Sequence, residues 1–161
     1  MSQRTKLIVS WVLVVLWAAF IFFMSAHTGA DLDDGTDLVA RIKRWLVAAA
    51  APVFGPDTDI VSVAAHFLEY TVFGALIFHA LFRTAPGQRR VLLVLAAVAL
   101  ASLYGVTDEF HQSFVPGRMC DPFDWLTDTL GATLGACIAA VVGAIQGSRN
   151  QREEDASKFE Q

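Results

Sequence analysis

Apolar residues gather into four long runs, separated by polar stretches. The runs cover roughly Leu7 to Ser25, Ile60 to Phe82, Val91 to Val106 (extendable to Asp108) and Asp124 to Ile145. A helix crossing a hydrocarbon core needs about 20 residues at ~1.5 Å rise each. The pattern therefore predicts an all-α fold: a multi-pass membrane bundle of four transmembrane helices. The first connection carries a different signal. In "TDLVARIKRWLVAAAA", Leu38, Ile42, Trp45, Leu46 and Ala49 recur at helical spacing, with Arg41 and Arg44 elsewhere on the wheel. That is the signature of an interfacial amphipathic helix, with Thr36 or Asp37 available as its cap.

The first run has Arg4 and Lys6 ahead of it and small residues at Thr28 to Ala30 behind it, as a signal peptide does. Its apolar stretch exceeds the usual 7–15 residues of such a segment, so an uncleaved anchor is expected. Composition agrees with a bilayer setting. Of 161 residues, 55% are hydrophobic and only 17% charged, with mean hydropathy +0.48. No basic stripe points to nucleic acid. Cys120 and Cys137 stand outside any C-x-x-C pair and are read as free thiols. The net charge of -4 says less than the placement of charge. Arg4, Lys6, Arg83, Arg89, Arg90, Arg149, Arg152 and Lys158 fall on one side of the expected topology. Arg118 and the group Arg41, Lys43 and Arg44 fall on the other. The positive-inside rule then puts both termini in the cytoplasm, and the first and third connections outside.

Residues 1–147 form the expected membrane domain, and 148–161 a disordered, polar cytoplasmic tail. Small residues at Gly131, Gly135, Ala139 and Gly143 recur every fourth position in the last span. Such a stripe admits a close neighbour, either a helix of the same chain or a second copy in a homodimer.

Ionisable residues inside these runs demand explanation. "AHFLEY" sets His66, Glu69 and Tyr70 on one helical face. If that helix starts near Asp59, Glu69 lies about 15 Å in, close to the bilayer midplane. An unpaired carboxylate there costs about 2.5–3.5 kcal/mol on insertion scales, so it must be paired, neutralised or hydrated. Asp121 before Pro122 reads as an N-cap, and Asp124 as a first-turn carboxylate that could also face a site. Asp128 lies about 10 Å down its helix, too far for capping. Asp108 and Glu109 sit at a helix C-terminus, the unfavourable end of the dipole for anions. Arg118 and nearby His111 are the candidates to compensate. "FVPGR" supplies a tight turn through Pro116 and Gly117. His79, about 20 Å beyond His66, reads as a separate, locally satisfied histidine, and Tyr104 as an interfacial anchor. The alternating helix directions bring the remaining polar residues to one extracytoplasmic pocket.

The strings "AHFLEYTVFGALI" and "LYGVTDEFHQSFVPGRMCDPFDWLTDTLGATLG", with "FFMS" closing the first run, closely resemble the signature segments of the VanZ-like family. The resemblance runs from the first span to the fourth. Carried onto this chain, the family's motif falls on His66, Glu69, Tyr70, Asp108, Glu109, His111, Gln112, Pro116, Gly117, Arg118, Asp124, Asp128 and Gly131. Cys120 departs from it, since a serine is common nearby. The resemblance implies a multi-pass protein of the bacterial cytoplasmic (inner) membrane. It also implies a relationship to a family associated with resistance to the glycopeptide teicoplanin.

Two kinds of function compete. One is binding of a cell-envelope lipid or glycan headgroup at the extracytoplasmic face, with Arg118 on the anion. The other is chemistry in the membrane. His66, Glu69, Asp108, Glu109, His111 and Asp128 offer nitrogen and oxygen donors for a divalent metal or for acid–base work. No activated serine or cysteine nucleophile is recognisable. A midplane Glu69 would also suit a small proton-coupled transporter or flippase.

Overall fold

A computed structural model describes residues 1–26, 60–116, 118 and 120–159, together with isolated positions between 41 and 52. Its four long helices are α1 (Gln3–Ser25), α2 (Ile60–Thr84), α3 (Arg90–Gln112) and α4 (Pro122–Phe159). All four are long and apolar enough to cross a membrane. No strand occurs among the described residues. The first connection, and with it the expected interfacial helix and its caps, lies outside the described residues apart from those isolated positions.

Each helix is delimited by local chemistry. Ser2 caps α1 by accepting the Thr5 N–H at 3.1 Å. The tight turn between α2 and α3 is closed by the Gln88 N–H on the Ala85 carbonyl at 3.1 Å. Asp121 caps α4 as its sequence suggests, its Oδ1 accepting the Phe123 N–H at 2.8 Å, with Pro122 at the first helical position. Between α3 and α4, the Arg118 N–H bonds the Val115 carbonyl at 3.1 Å, closing the turn expected of "VPGR".

Packing follows from which faces can approach. On α1 the buried residues are Ser10, Val14, Ile21 and Ser25, a single stripe. Its other apolar side chains, such as Val15, Leu16 and Phe23, point outward, as suits a helix in lipid. Pairing is closest between α2 and α4, which run parallel, Phe67 facing Gly131 and Thr71 facing Gly135. A Cβ on Gly135 would fall on the Thr71 carbonyl, one on Gly131 on the Phe67 carbonyl, and one on Gly74 on the Ala132 carbonyl. The small-residue stripe thus admits α2 of the same chain at Gly131 and Gly135. Further along, Arg90 donates to the carbonyls of Ala140 and Gly143 at 2.8 and 3.2 Å and lies over the Phe82 ring. The core between the helices is made by Tyr70, Phe73, Ile77, Ala97, Ala101 and Ala132.

Hydrogen bonds fix α1 against this core. Trp11 Nε1 donates to Thr84 Oγ1 at 3.0 Å, Trp17 Nε1 to the Glu69 carbonyl at 2.9 Å, and the Tyr104 hydroxyl to the Ala18 carbonyl at 2.6 Å. Tyr104 is therefore an interhelical tie. The alternating directions place Ser25, His66, Gln112 and Pro122 at one end of the bundle.

The span boundaries read from hydropathy hold, with one extension. α4 continues through the polar segment after Gly147 to Phe159, where composition suggests a disordered tail. Its exposed turns carry an Arg149–Glu153 pair at 3.0 Å and a Lys158–Asp155 pair at 3.9 Å, spacings that favour helix over coil. The described side chains from Gly147 to Lys158 are exposed. Deleting 150–161 should leave the melting temperature of the purified protein unchanged within about 2 °C, since surface changes rarely exceed ~0.5 kcal/mol. A larger fall would show that the projection supports the bundle.

Candidate functional site

The polar cluster is assembled from all four helices. α2 and α4 approach closely because of their glycines, and this register sets His66 opposite Asp128. Nδ1 of His66 lies 3.2 Å from Oδ1 of Asp128, with both residues buried. α3 brings Asp108 to the same place: donor atoms from His66, Asp108 and Asp128 lie within 4.8 Å of one another. Gly105, one turn before Asp108, permits close packing here, since a Cβ on it would stand 3.3 Å from Trp125 Cδ1. The same Cβ would stand 3.5 Å from Asp128 Oδ2 and 3.6 Å from the Tyr70 ring.

Asp108 is held from two sides. Ser25 Oγ donates to its Oδ2 at 2.7 Å, and Gln112 Nε2 donates to the same oxygen at 3.2 Å and to Ser25 Oγ at 3.1 Å. Glu109 faces the connection to α4, where its Oε2 accepts the Asp121 N–H at 2.8 Å. These bonds supply the compensation that a carboxylate at a helix C-terminus requires. For Asp108 it comes from Ser25 and Gln112, and for Glu109 from the backbone at Asp121.

The other expected site residues surround this centre. Tyr70 is fully buried and packs edge-on against Phe73. Glu69 is half-buried and within electrostatic reach of His66, Asp108, Asp128 and Arg118. Arg118, from the loop after α3, is half-buried and within that electrostatic reach. Asp124 combines its first-turn position with electrostatic reach to His66, Glu109 and Asp128. The His111 ring stacks on Phe22 of α1, centroids 4.2 Å apart. Gly117 lies outside the described residues. His79 stands apart, accepting from Arg83 Nε at 2.8 Å as a locally satisfied residue. Cys120 and Cys137 are free and exposed.

Sequence reasoning did not single out Ser25. The only signal was its place at the end of "FFMS", where a hydroxyl closing an apolar run looks like an ordinary helix boundary.

Several buried polar atoms here have no hydrogen-bond partner in the protein: the Tyr70 hydroxyl, Asp108 Oδ1, Glu109 Oε1, His111 Nε2, Gln112 Oε1 and Asp128 Oδ2. In folded proteins such atoms are nearly always satisfied, and each one left bare costs about 1–3 kcal/mol. They gather at one end of the bundle, around His66, Asp108 and Asp128. Beside them opens an apolar cleft of about 310 Å³, lined by Val106, Phe110, Pro122 and Trp125, with Glu109 on its wall. Chemically the arrangement can bind a cation among its carboxylates, accept hydroxyl hydrogens, or move a proton between His66 and Asp128.

Searches of curated proteins and of solved structures return no match to this chain. The VanZ/LLP1 family model, in contrast, matches residues 10–143, which include α1 to α3 almost entirely, the whole polar cluster and the packed part of α4. The chain belongs to the VanZ/LLP1 family.

Proposed function

We propose that the polar cluster forms a chamber that binds the phosphate- and sugar-bearing headgroup of a cell-envelope lipid at the extracytoplasmic face of the bacterial cytoplasmic membrane, with both termini on the cytoplasmic side. The observation that carries this reading is the adjacency of two surfaces. Buried, unpartnered polar atoms meet an apolar cleft at Glu109, which suits a molecule with a polar head and a hydrocarbon tail. The Lys and Arg distribution supports the orientation. Arg118, with its planar fork of donors, suits the phosphate. The carboxylates and the Gln112 carbonyl suit sugar hydroxyls as acceptors. A role in teicoplanin resistance would follow from retaining such a headgroup at the outer leaflet.

Native mass spectrometry of the detergent-purified chain with an isoprenyl-phosphate sugar lipid, against phosphatidylcholine, tests the reading. The expected result is selective retention of the sugar lipid. Arg118→Ala should weaken it at least about tenfold, the equivalent of a lost charged hydrogen bond of ~1.5–3 kcal/mol. Equal retention of both lipids, or of the sugar lipid by Arg118→Ala, would sink it.

A further inference from the structure

We propose that His66, Asp108 and Asp128 form a binding site for one divalent transition-metal ion. The site stands independently of the lipid reading and would exist whether or not a headgroup enters the chamber. The three side chains come from α2, α3 and α4, and are 7%, 2% and 0% exposed. Donor atoms of one tetrahedral ion, each about 2.1 Å from the metal, lie about 3.4 Å apart. Here the three donors already lie within 4.8 Å of one another, and the His66–Asp128 pair at 3.2 Å. Side-chain adjustment without movement of the helices closes the remainder.

The hydrogen bonding of the carboxylates points the same way. Asp108 uses Oδ2 for Ser25 and Gln112, and its Oδ1 has no partner. Asp128 uses Oδ1 for His66, and its Oδ2 has no partner. Asp108 therefore has one oxygen engaged by the protein and one to offer, as when outer hydrogen bonds orient a metal ligand, and in the loaded site the ion takes the place of the proton between His66 and Asp128. Ser25 and Gln112 are the orienting groups for Asp108.

Charge gives a second, independent reason. Two buried carboxylates beside each other repel, and a membrane interior amplifies the cost. An imidazole carries at most one positive charge, whereas a doubly charged ion balances both. The donor set selects among ions. One imidazole with two carboxylates favours Zn²⁺ or Mn²⁺ over Ca²⁺, which takes six to eight oxygens, and over soft Cu(I), which takes sulfur.

The test uses the full chain in detergent, stripped with chelator and then equilibrated with Zn²⁺ or Mn²⁺ alone. Elemental analysis should find one ion per chain, retained through gel filtration. Asp108→Asn and Asp128→Asn keep the side-chain shape and should each weaken binding at least about tenfold, by analogy with ligand-shell losses elsewhere. His79→Gln, outside the cluster, should not. The Mn²⁺ form should show electron-spin coupling to one imidazole nitrogen, kept in His79→Gln and lost in His66→Gln. Absence of bound ion in the wild type overturns the proposal, as does undiminished binding in the Asn variants. If those variants do not fold, the wild-type spectrum decides: no nitrogen coupling overturns it, and a coupling that survives in His79→Gln and in His111→Gln supports it.

Discussion

Gly135→Val should prevent assembly of the bundle, so that the protein fails to yield a single symmetric peak on size-exclusion chromatography. The reason is the identity of the obstructing atoms. A Cβ at Gly135 meets the Thr71 carbonyl oxygen and the Ala75 backbone nitrogen. A flexible side chain could swing away, but a helix backbone cannot. α2 and α4 would have to separate along their closest contact. Overpacking usually costs about 1–3 kcal/mol, and a backbone obstruction lies at or above the top of that range. Relief is unavailable nearby, because Gly131 and Gly74 are closed by backbone in the same interface. The same substitution would draw His66 away from Asp128, so any surviving protein should also lose ligand binding. Gly143→Ala is the matched control. The nearest atom to its Cβ is Arg90 Nη1 at 3.7 Å, ordinary contact, so the fold should be retained. A Gly135→Val protein as monodisperse and stable as wild type would refute the α2–α4 packing described above.

The second large effect is expected at His66. In chelator, His66→Ala should destabilise the bundle by about 3–5 kcal/mol, the range for stranding one member of a buried ion pair. Asp128 is fully buried and would keep neither partner nor water. Replacing both residues, as His66→Ala with Asp128→Ala, should recover a large part of that loss, since the stranded Asp128 carboxylate is then gone as well. Equilibrium unfolding of the four proteins in a double-mutant cycle gives the coupling directly. Interhelical hydrogen bonds in bilayers average only about 0.6 kcal/mol. A coupling near that value would mean that Asp128 finds another partner when His66 is absent. The pair would then owe its place to ligand binding more than to stability. By contrast, the Arg149–Glu153 pair is 79% and 65% exposed, and its removal should have no measurable consequence.

How far the sequence leads can be seen residue by residue. Tyr104 has the composition signal of an interfacial anchor, and only the neighbouring α1 carbonyl reveals its role as a tie. Ser25 carried almost no signal, because a serine at the end of an apolar run is unremarkable until Asp108 is found beside it. The polarity of the segment after Gly147 suggests a disordered tail, yet its charges at i, i+4 and i, i+3 spacing are those of a solvated helix.

By itself the sequence determined the number, order and approximate ends of the membrane spans, the Asp121 cap, and the list of polar residues too costly to face lipid. Each of these is a property of one segment and its solvent. Only the tertiary structure decided which polar residues meet, that Ser25 and Gln112 hold Asp108, and that α2 occupies the glycine stripe. Those outcomes depend on the rotation and register of helices against one another. Backbone-to-backbone contact at Gly74, Gly131 and Gly135 fixes that register, and hydropathy along a single helix contains no information about it.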